Sequence, residues 1–156
     1  MKRLIFFVLA IFVATIFSGC MPTNQVEQSL DFVFGRPRIS KVEPKDGAVE
    51  VDLNSEIKII FNKEIDEATL NNKNVNINYL NKDLKFNVNP FLNSEYQYEN
   101  KILTIKPSEE FLPNQLIEVK LTSNIKNKEG DELSHSGRSG ESDEVRYIFK
   151  FRTGKQ

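Results

Sequence analysis

From residue 39 onward, apolar and polar residues alternate along the chain with a period of two. In Ile57–Phe61, Ile117–Leu121 and Val145–Phe151 every second residue is aliphatic or aromatic. Successive side chains of a β-strand point to opposite faces, so each run predicts a strand with one buried face and one wet face. The remaining runs of this type are Ile39–Glu43, Val49–Leu53, Val75–Tyr79, Leu84–Val88 and Leu103–Ile105. The pattern therefore predicts about eight strands.

Turn-forming residues separate these runs. Pro44-Lys45-Asp46-Gly47 combines the fixed φ of proline with a glycine that accepts positive φ, and Glu129-Gly130-Asp131 is a similar break. Glu64–Leu70 and Ser108–Leu112 each fit one helical turn, and no segment after the N-terminal region has the period of a long amphipathic helix. Short strands at regular spacing predict an all-β fold, an antiparallel β-sandwich of about seven to nine strands.

The stretch Ile39–Ala48 resembles the opening of the bacterial Ig-like domain of the S-layer protein (SbsA) type. Ile57–Asp66, Ile125–Leu133 and the ending Phe149–Thr153 resemble later parts of that family's pattern. The resemblance implies an Ig-like β-sandwich over residues 37–154 and a structural or binding module of the cell envelope. Because the family shares no catalytic residues, the resemblance implies no enzyme.

Residues 1–19 have the features of a secretory signal peptide. Met1-Lys2-Arg3 is a positive start, and Leu4–Phe17 is an uncharged run of 14 residues, apolar apart from Thr15. A membrane-spanning helix needs about 18 or more apolar residues, which this run does not reach. The alternatives are an uncleaved anchor and a buried helix.

Phe17-Ser18-Gly19-Cys20 resembles a bacterial lipobox, in which the cysteine is diacylated and becomes the first residue of the mature protein. The family usually has Leu, Val or Ile where Phe17 stands. Two or more acyl chains anchor a protein stably, so Cys20 is the predicted lipidation site and membrane anchor. Met21-Pro22, with no Asp, follows Cys20, and by analogy with the sorting rule of enteric bacteria this favours the outer membrane, facing the periplasm or the cell surface.

Residues 20–36 are predicted to be the lipidated cysteine and a flexible tether, because most of them are polar and no periodic pattern is present. The apolar patch Leu30–Phe34 interrupts this segment. It fits a short strand against the domain edge, and it also fits an exposed contact for a partner or for lipid headgroups.

Composition and charge narrow the classes of function. The 156 residues include 21 basic and 22 acidic groups, a net charge of −1 that gives no basic footprint for nucleic acid. Without residues 1–19, which carry Lys2 and Arg3, the formal charge becomes −3. Cys20 is the only cysteine, so the chain has no internal disulfide.

Candidate catalytic chemistry is sparse. Asp131, Ser134 and His135 are the residue types of a catalytic triad but lie within five positions on a Gly/Ser-rich segment, whereas a triad needs separate elements to fix its geometry. His135 is the only histidine, so a histidine metal cluster is excluded. We therefore predict no catalytic residue, no metal, and no cofactor beyond the covalent lipid on Cys20, with a hydrolase as the alternative.

Two further groups allow a ligand. Hard oxygen ligands for Ca²⁺ occur at Asn127, Glu129, Asp131 and Glu132, with Asp143 further along, although their spacing matches no known loop type, so a solvated turn is the favoured interpretation. The second group comprises aromatic residues that fit either core and edge positions or a ligand face: Phe91, Tyr96 and Tyr98.

These observations predict a lipid-anchored protein of the bacterial cell envelope with a single Ig-like domain that acts in non-catalytic binding, adhesion or structural spacing. An alternative is an accessory lipoprotein of a larger envelope assembly, docked through its edge strands or through Leu30–Phe34. The predicted partners are the membrane, through the lipid, and an envelope protein or glycan that the sequence does not name. No nucleic-acid partner is predicted.

Overall fold

A computed structural model of the chain describes residues 35–80, 93–135 and 144–155. The chain divides into two units, Met1–Gly35 and Arg36–Gln156, and every strand below belongs to the second. Several features predicted from the sequence lie outside the described residues. They are the signal peptide, Cys20, the patch Leu30–Phe34, the strand Leu84–Val88, Phe91 and Asp143.

The described residues form an all-β domain, as the alternating pattern predicts. The strands are β1 Ile39–Glu43, β2 Ala48–Val51, β3 Ile57–Phe61, β4 Val75–Tyr79, β5 Glu95–Glu99, β6 Ile102–Lys106, β7 Leu116–Thr122 and β8 Val145–Thr153. A 3₁₀ turn at Glu67–Thr69 lies within the predicted helical turn Glu64–Leu70. The predicted turn at Ser108–Leu112 is wrong: this segment is not helical, and the backbone N–H of Phe111 donates instead to Leu53 O at 2.8 Å.

The strands form two four-stranded sheets. The first sheet has the order β1-β3-β6-β5 and is antiparallel throughout, and the second has the order β2-β8-β7-β4. In the second sheet β2 lies parallel to β8, while the other pairs are antiparallel. The parallel pair departs from the predicted antiparallel sheets. It arises because the chain crosses from the first sheet to the second at residues 44–47 without reversing its direction.

The inward rows of both sheets form one hydrophobic core, which confirms the Ig-like β-sandwich. Ile57, Ile59 and Phe61 of β3 are buried, and Ile60 and Lys58 between them are only half-buried. Tyr96 and Tyr98 of the edge strand β5 pack against this core, as predicted for core and edge positions. The other buried hydrophobic residues are Val42, Ile65, Leu70, Val75, Ile77, Leu103, Ile105, Phe111, Ile117, Val119, Leu121, Ile125, Leu133, Phe149 and Phe151.

One strand has a register that the alternating pattern does not give. Val49 was predicted to face inward with Val51, yet it is 66% exposed, and Ala48 packs against the core in its place. Glu50 adopts a left-handed conformation with φ 54°, and the pairing with β8 shifts between Ala48 and Val51. This irregularity interrupts the alternation of β2 by one position. Ala48 and Val51 therefore pack against the core, and the two residues between them are exposed.

The chain enters and leaves the sandwich at opposite ends. At the entry pole, Pro37 O accepts a hydrogen bond from Ser134 N, and Thr122 pairs with Val145 at the start of β8. At the exit pole, β8 ends and Gly154 N donates to Val51 O at 2.8 Å. The nine residues of β8 connect the two poles, a distance of about 30 Å at ~3.3 Å per residue.

Candidate functional site

The turn between β1 and β2 is fastened to β8 by a motif side chain. Asp46 Oδ1 accepts a hydrogen bond from Lys150 N at 2.9 Å, and Gly47 N donates to Lys150 O at 2.7 Å. Gly47 has φ 79°, a conformation that glycine adopts without a steric cost. The Pro-Lys-Asp-Gly sequence thus holds the crossing between the two sheets, and Asp46 has a structural role.

A second motif cluster lies at the entry pole around the 3₁₀ turn. Asp66 Oδ1 accepts from Ala68 N at 3.1 Å and so caps the turn. Thr69 Oγ1 donates to Asp66 O at 2.6 Å and accepts from Lys126 N at 3.2 Å. These bonds tie the segment after β3 to the loop after β7, so they too are used to hold loops in place.

The candidate calcium ligands lie in a loop that bonds to itself. Asn127 is 4% exposed; its Oδ1 accepts from Asp131 N at 2.7 Å and its Nδ2 donates to Asp131 Oδ2 at 3.0 Å. Glu132 Oε2 forms an ion pair with Arg146 Nη2 at 3.3 Å. Across residues 35–80, 93–135 and 144–155, no three His, Cys, Asp or Glu side chains are grouped so that they could hold a metal ion. The expected absence of a metal site, with this loop as the calcium-binding alternative, therefore stays a prediction.

The residues of the triad type have separate partners. Asp131 bonds to Asn127, Ser134 N donates to Pro37 O, and His135 Nε2 contacts Arg146 Nη1. The first of these contacts lies within the loop after β7, and the other two hold that loop to neighbouring segments.

Thr153, at the end of the family's last motif, is buried at the exit pole. Its Oγ1 donates to Leu112 O at 2.7 Å and accepts from Gln115 N at 2.8 Å. This hydroxyl fixes the segment between β6 and β7 against the end of β8. Nearby, Leu112 N donates to the hydroxyl of Tyr79 at 3.0 Å, which joins the same segment to β4.

A groove lies at the exit pole, and we call it the exit groove. It consists of two adjoining cavities of about 410 and 280 Å³ that share Leu53, Asn54 and Glu110. The first is also lined by Glu50, Val51, Asp52, Gly154 and Lys155, and the second by Lys106, Pro107, Ser108 and Glu109. Residues from three separate segments thus meet in one groove.

The sequence profile of the bacterial Ig-like domain family matches residues 35–153. The chain belongs to the bacterial Ig-like domain family. No curated protein matches the chain in sequence.

Solved structures similar to this Ig-like domain include surface layer proteins. Domains 1–6 of the surface layer protein SbsC give a TM-score of 0.53 at 16% identity, covering 85% of this chain and 16% of that one. The N-terminal part of the bacterial S-layer protein SbsC gives 0.52 at 16% identity, covering 83% of this chain and 26% of that one. This chain thus spans a small part of each, and the similarity shows the fold alone. A similarity to the L,D-transpeptidase LdtMt1 in complex with imipenem has a TM-score of 0.47 at 14% identity, covering 76% of this chain and 40% of that one, too weak to indicate a shared activity.

The outer face of the second sheet of this Ig-like domain has a paired cluster of charges. Glu118 is 6% exposed, and its two carboxylate oxygens lie 2.9 Å from Lys120 Nζ and 2.9 Å from Lys150 Nζ. Burial raises the pKa of Glu118, but the hydrogen bonds from the two lysines outweigh burial and hold that pKa below its usual value. The cluster joins β7 to β8 across the sheet.

Tyr98 joins the edge strand β5 to the segment after β3. Its hydroxyl accepts from Ile65 N at 2.8 Å and donates to Glu64 Oε2 at 3.1 Å, and its ring meets Phe61 edge-on at 6.5 Å. Burial, with a further contribution from Glu64, raises the pKa of Tyr98 to about 12. The Tyr98 side chain is therefore part of the scaffold.

No helix in the described part of the chain is long and apolar enough to span a membrane.

Proposed function

We propose that this protein is anchored in the bacterial cell envelope by lipid on Cys20, and that its Ig-like domain acts there as a non-catalytic binding or spacing module. Membership of the bacterial Ig-like domain family and a fold similar to that of surface layer protein SbsC support the role of the domain. The lipobox-like Phe17-Ser18-Gly19-Cys20 after an apolar run supports the anchor.

One observation carries the non-catalytic role: the polar side chains of the family's motifs are engaged in holding the scaffold. Asp46 binds β8, Asp66 caps the 3₁₀ turn, Asn127 binds Asp131, and Thr153 fixes the segment before β7. A catalytic group must instead reach a substrate at a site that other side chains position. A partner would therefore bind to the outer surface of this domain.

The entry and exit poles give the proposed anchor a consequence for orientation. A lipid tether would join the domain at the entry pole, where Pro37 and Arg38 bond to neighbouring loops. A flexible tether of residues 20–36 would have an average span of roughly 20–25 Å at about 5–6 Å × √n. The exit groove would then lie at the end of the sandwich farthest from the point of attachment.

The residues after Cys20 bear on the membrane in which the anchor lies. We propose the outer membrane, because Met21 follows Cys20 where the enteric retention rule would require Asp. Separation of inner and outer membranes on a density gradient checks this location. Recovery of the protein with the inner membrane would show that the sorting rule does not hold for this chain.

The anchor is tested by moving the only cysteine. We expect Cys20→Ser to release the protein from the washed membrane fraction, because the acyl chains have no other attachment site. The double variant Cys20→Ser, Ser29→Cys restores a thiol outside the lipobox-like sequence and should also be released. Retention of both variants in the membrane fraction would refute the lipid anchor, and retention of the double variant alone would show that the position of the cysteine is unimportant.

A further inference from the structure

We propose that the exit groove and the apolar residues beside it bind an extended segment of a partner protein that carries lysine or arginine next to aliphatic side chains. This inference rests on the proposed function of the domain as a binding module and names the chemistry of its partner. It is argued from charge, exposed apolar surface and the rigidity of the groove walls.

Acidic side chains outnumber basic side chains in the exit groove. Four carboxylates line it, from Glu50, Asp52, Glu109 and Glu110, against the amines of Lys106 and Lys155. The structure gives none of the four an ion pair with any other residue it describes, whereas Glu118 on the sheet face has two. Unpaired carboxylates around a concave surface attract a cationic group and speed its association.

Exposed apolar side chains occur at the same pole of the sandwich, in segments that adjoin the groove. Within the described ranges the large hydrophobic residues that are exposed are Val49 at 66%, Leu112 at 44% and Leu80 at 36%. Val49 precedes Glu50, and Leu112 follows closely after Glu110, both of which line the groove. Leu80 follows Tyr79, whose hydroxyl accepts from Leu112 N. All three therefore belong to the exit pole, where they supply exposed apolar surface in addition to the carboxylates of the groove.

The groove walls are held in place before any partner arrives. Gly154 N donates to Val51 O and Phe111 N donates to Leu53 O, both at 2.8 Å, so the three segments are joined by backbone bonds. Asn54 N donates to Asp52 Oδ1 at 2.8 Å, which fixes the turn at the groove centre. Since little ordering is needed in the domain, most of the contact energy is available for binding.

The charge pattern favours a basic peptide over a neutral glycan or an acidic polymer. A neutral glycan leaves the excess of carboxylates over lysines without counter-charge, and an acidic polymer is repelled by that excess. A lysine or arginine side chain carries both a cationic head and an aliphatic stem, which matches a groove of carboxylates next to exposed leucine and valine. An extended segment presents such side chains at alternate positions on one face.

The test uses the full-length protein extracted from membranes in a neutral detergent and three fluorescent peptides. The first is Lys-Gly-Leu-Gly-Lys-Gly-Leu, in which both lysines and both leucines share one face of an extended strand; the second replaces both lysines by glutamate, and the third replaces both leucines by serine. Anisotropy should show that the first binds most tightly, that the third binds more weakly, and that the second does not bind. Raising the salt concentration should weaken the first, because the contact is partly electrostatic and solvent-exposed.

Matched charge variants locate the binding surface. Glu50→Gln with Glu110→Gln should weaken the lysine–leucine peptide roughly tenfold, at about two- to fivefold for each exposed charge pair lost. The control Glu67→Gln with Glu129→Gln makes the same charge change away from the groove and should alter affinity less than twofold. Leu112→Ser should weaken the lysine–leucine peptide and leave the lysine–serine peptide unchanged.

Two results would overturn this inference. One is that the acidic peptide binds as tightly as the lysine–leucine peptide, and the other is that the groove variants and the control variants weaken the lysine–leucine peptide equally. Such a result leaves the proposed function intact, provided that Cys20→Ser still releases the protein from the membrane. Conversely, groove-dependent binding by a protein that Cys20→Ser does not release would support the groove and refute the anchor.

Discussion

Asp46 and Lys150 lie 104 positions apart in the sequence, and the carboxylate of one accepts a hydrogen bond from the backbone N–H of the other at 2.9 Å. This bond holds the crossing between the sheets, so Asp46→Ala should lower the free energy of unfolding by about 1–2 kcal/mol. Asp46→Asn keeps an acceptor and should lose less. The neighbouring Lys45→Ala should stay within about 0.5 kcal/mol of the parent. Denaturant unfolding followed by circular dichroism measures all three, and equal stability of Asp46→Ala and the parent would show that the bond is unimportant.

Asn127 should contribute more to the stability of the domain than its position in a loop suggests. It is buried and exchanges two side-chain hydrogen bonds with Asp131, so Asn127→Ala leaves the Asp131 N–H without its acceptor. We expect a loss of about 2 kcal/mol in the free energy of unfolding. Lys128→Ala, at the exposed next position, is the control and should cost less than about 0.5 kcal/mol. A loss no greater than that of the control would contradict this account of the loop.

Calcium should leave the melting temperature unchanged. The amide of Asn127 and the carboxylate of Asp131 bind each other, and Glu132 is paired with Arg146, so a metal ion would have to displace these contacts. Differential scanning fluorimetry with and without millimolar calcium checks this, with a chelator-treated sample as the reference. A melting temperature that rises with calcium concentration would indicate a specific site and favour the calcium-binding alternative.

Glu118 should give the domain a pH-dependent stability. Because its folded-state pKa lies below the ordinary value of 4.5, its contribution is complete above that value and is lost as pH falls through the lower folded pKa. Glu118→Gln should therefore cost about 1–2 kcal/mol at pH 7, and the difference from the parent should shrink as the pH falls through the lowered pKa of the folded state.

The exposed pair of Glu56 and Lys58 supplies a matched control for Glu118. Their charged atoms are 3.5 Å apart and both side chains are more than 40% exposed, so Glu56→Gln should cost less than about 0.5 kcal/mol at any pH. A cost for Glu118→Gln that is independent of pH would show that the side chain acts through packing rather than through its charge.

The sequence predicts the strands whose inward rows are strictly apolar. In β3 and β7 the residues Ile57, Ile59, Ile117 and Val119 are fully buried at alternate positions, because a two-residue period has only one way to face a core. β5 was missed because its sequence Glu-Tyr-Gln-Tyr-Glu is mostly polar. Its inward tyrosines carry hydroxyls, and its outward residues are exposed at a sheet edge.

Features that depend on distant contacts could not be predicted from the sequence. The parity of Val49 is set by the left-handed Glu50 and by the irregular pairing of β2 with β8, both of which involve the far end of the chain. The exit groove combines residues near 50, 110 and 154, whose proximity follows only from the sheet topology. Asp46 and Thr153 could be recognised as positions of a family pattern, but the hydrogen bonds that give them structural roles could not be predicted.

The lipid anchor on Cys20 is tested most directly by mass spectrometry of the N-terminal peptide of the protein purified from its native membranes. The account predicts that the chain begins at Cys20 and that this residue carries the added mass of a diacylglyceryl group. Recovery of peptides that contain residues 1–19 from the mature protein, or of Cys20 with an unmodified thiol, would contradict the proposed anchor.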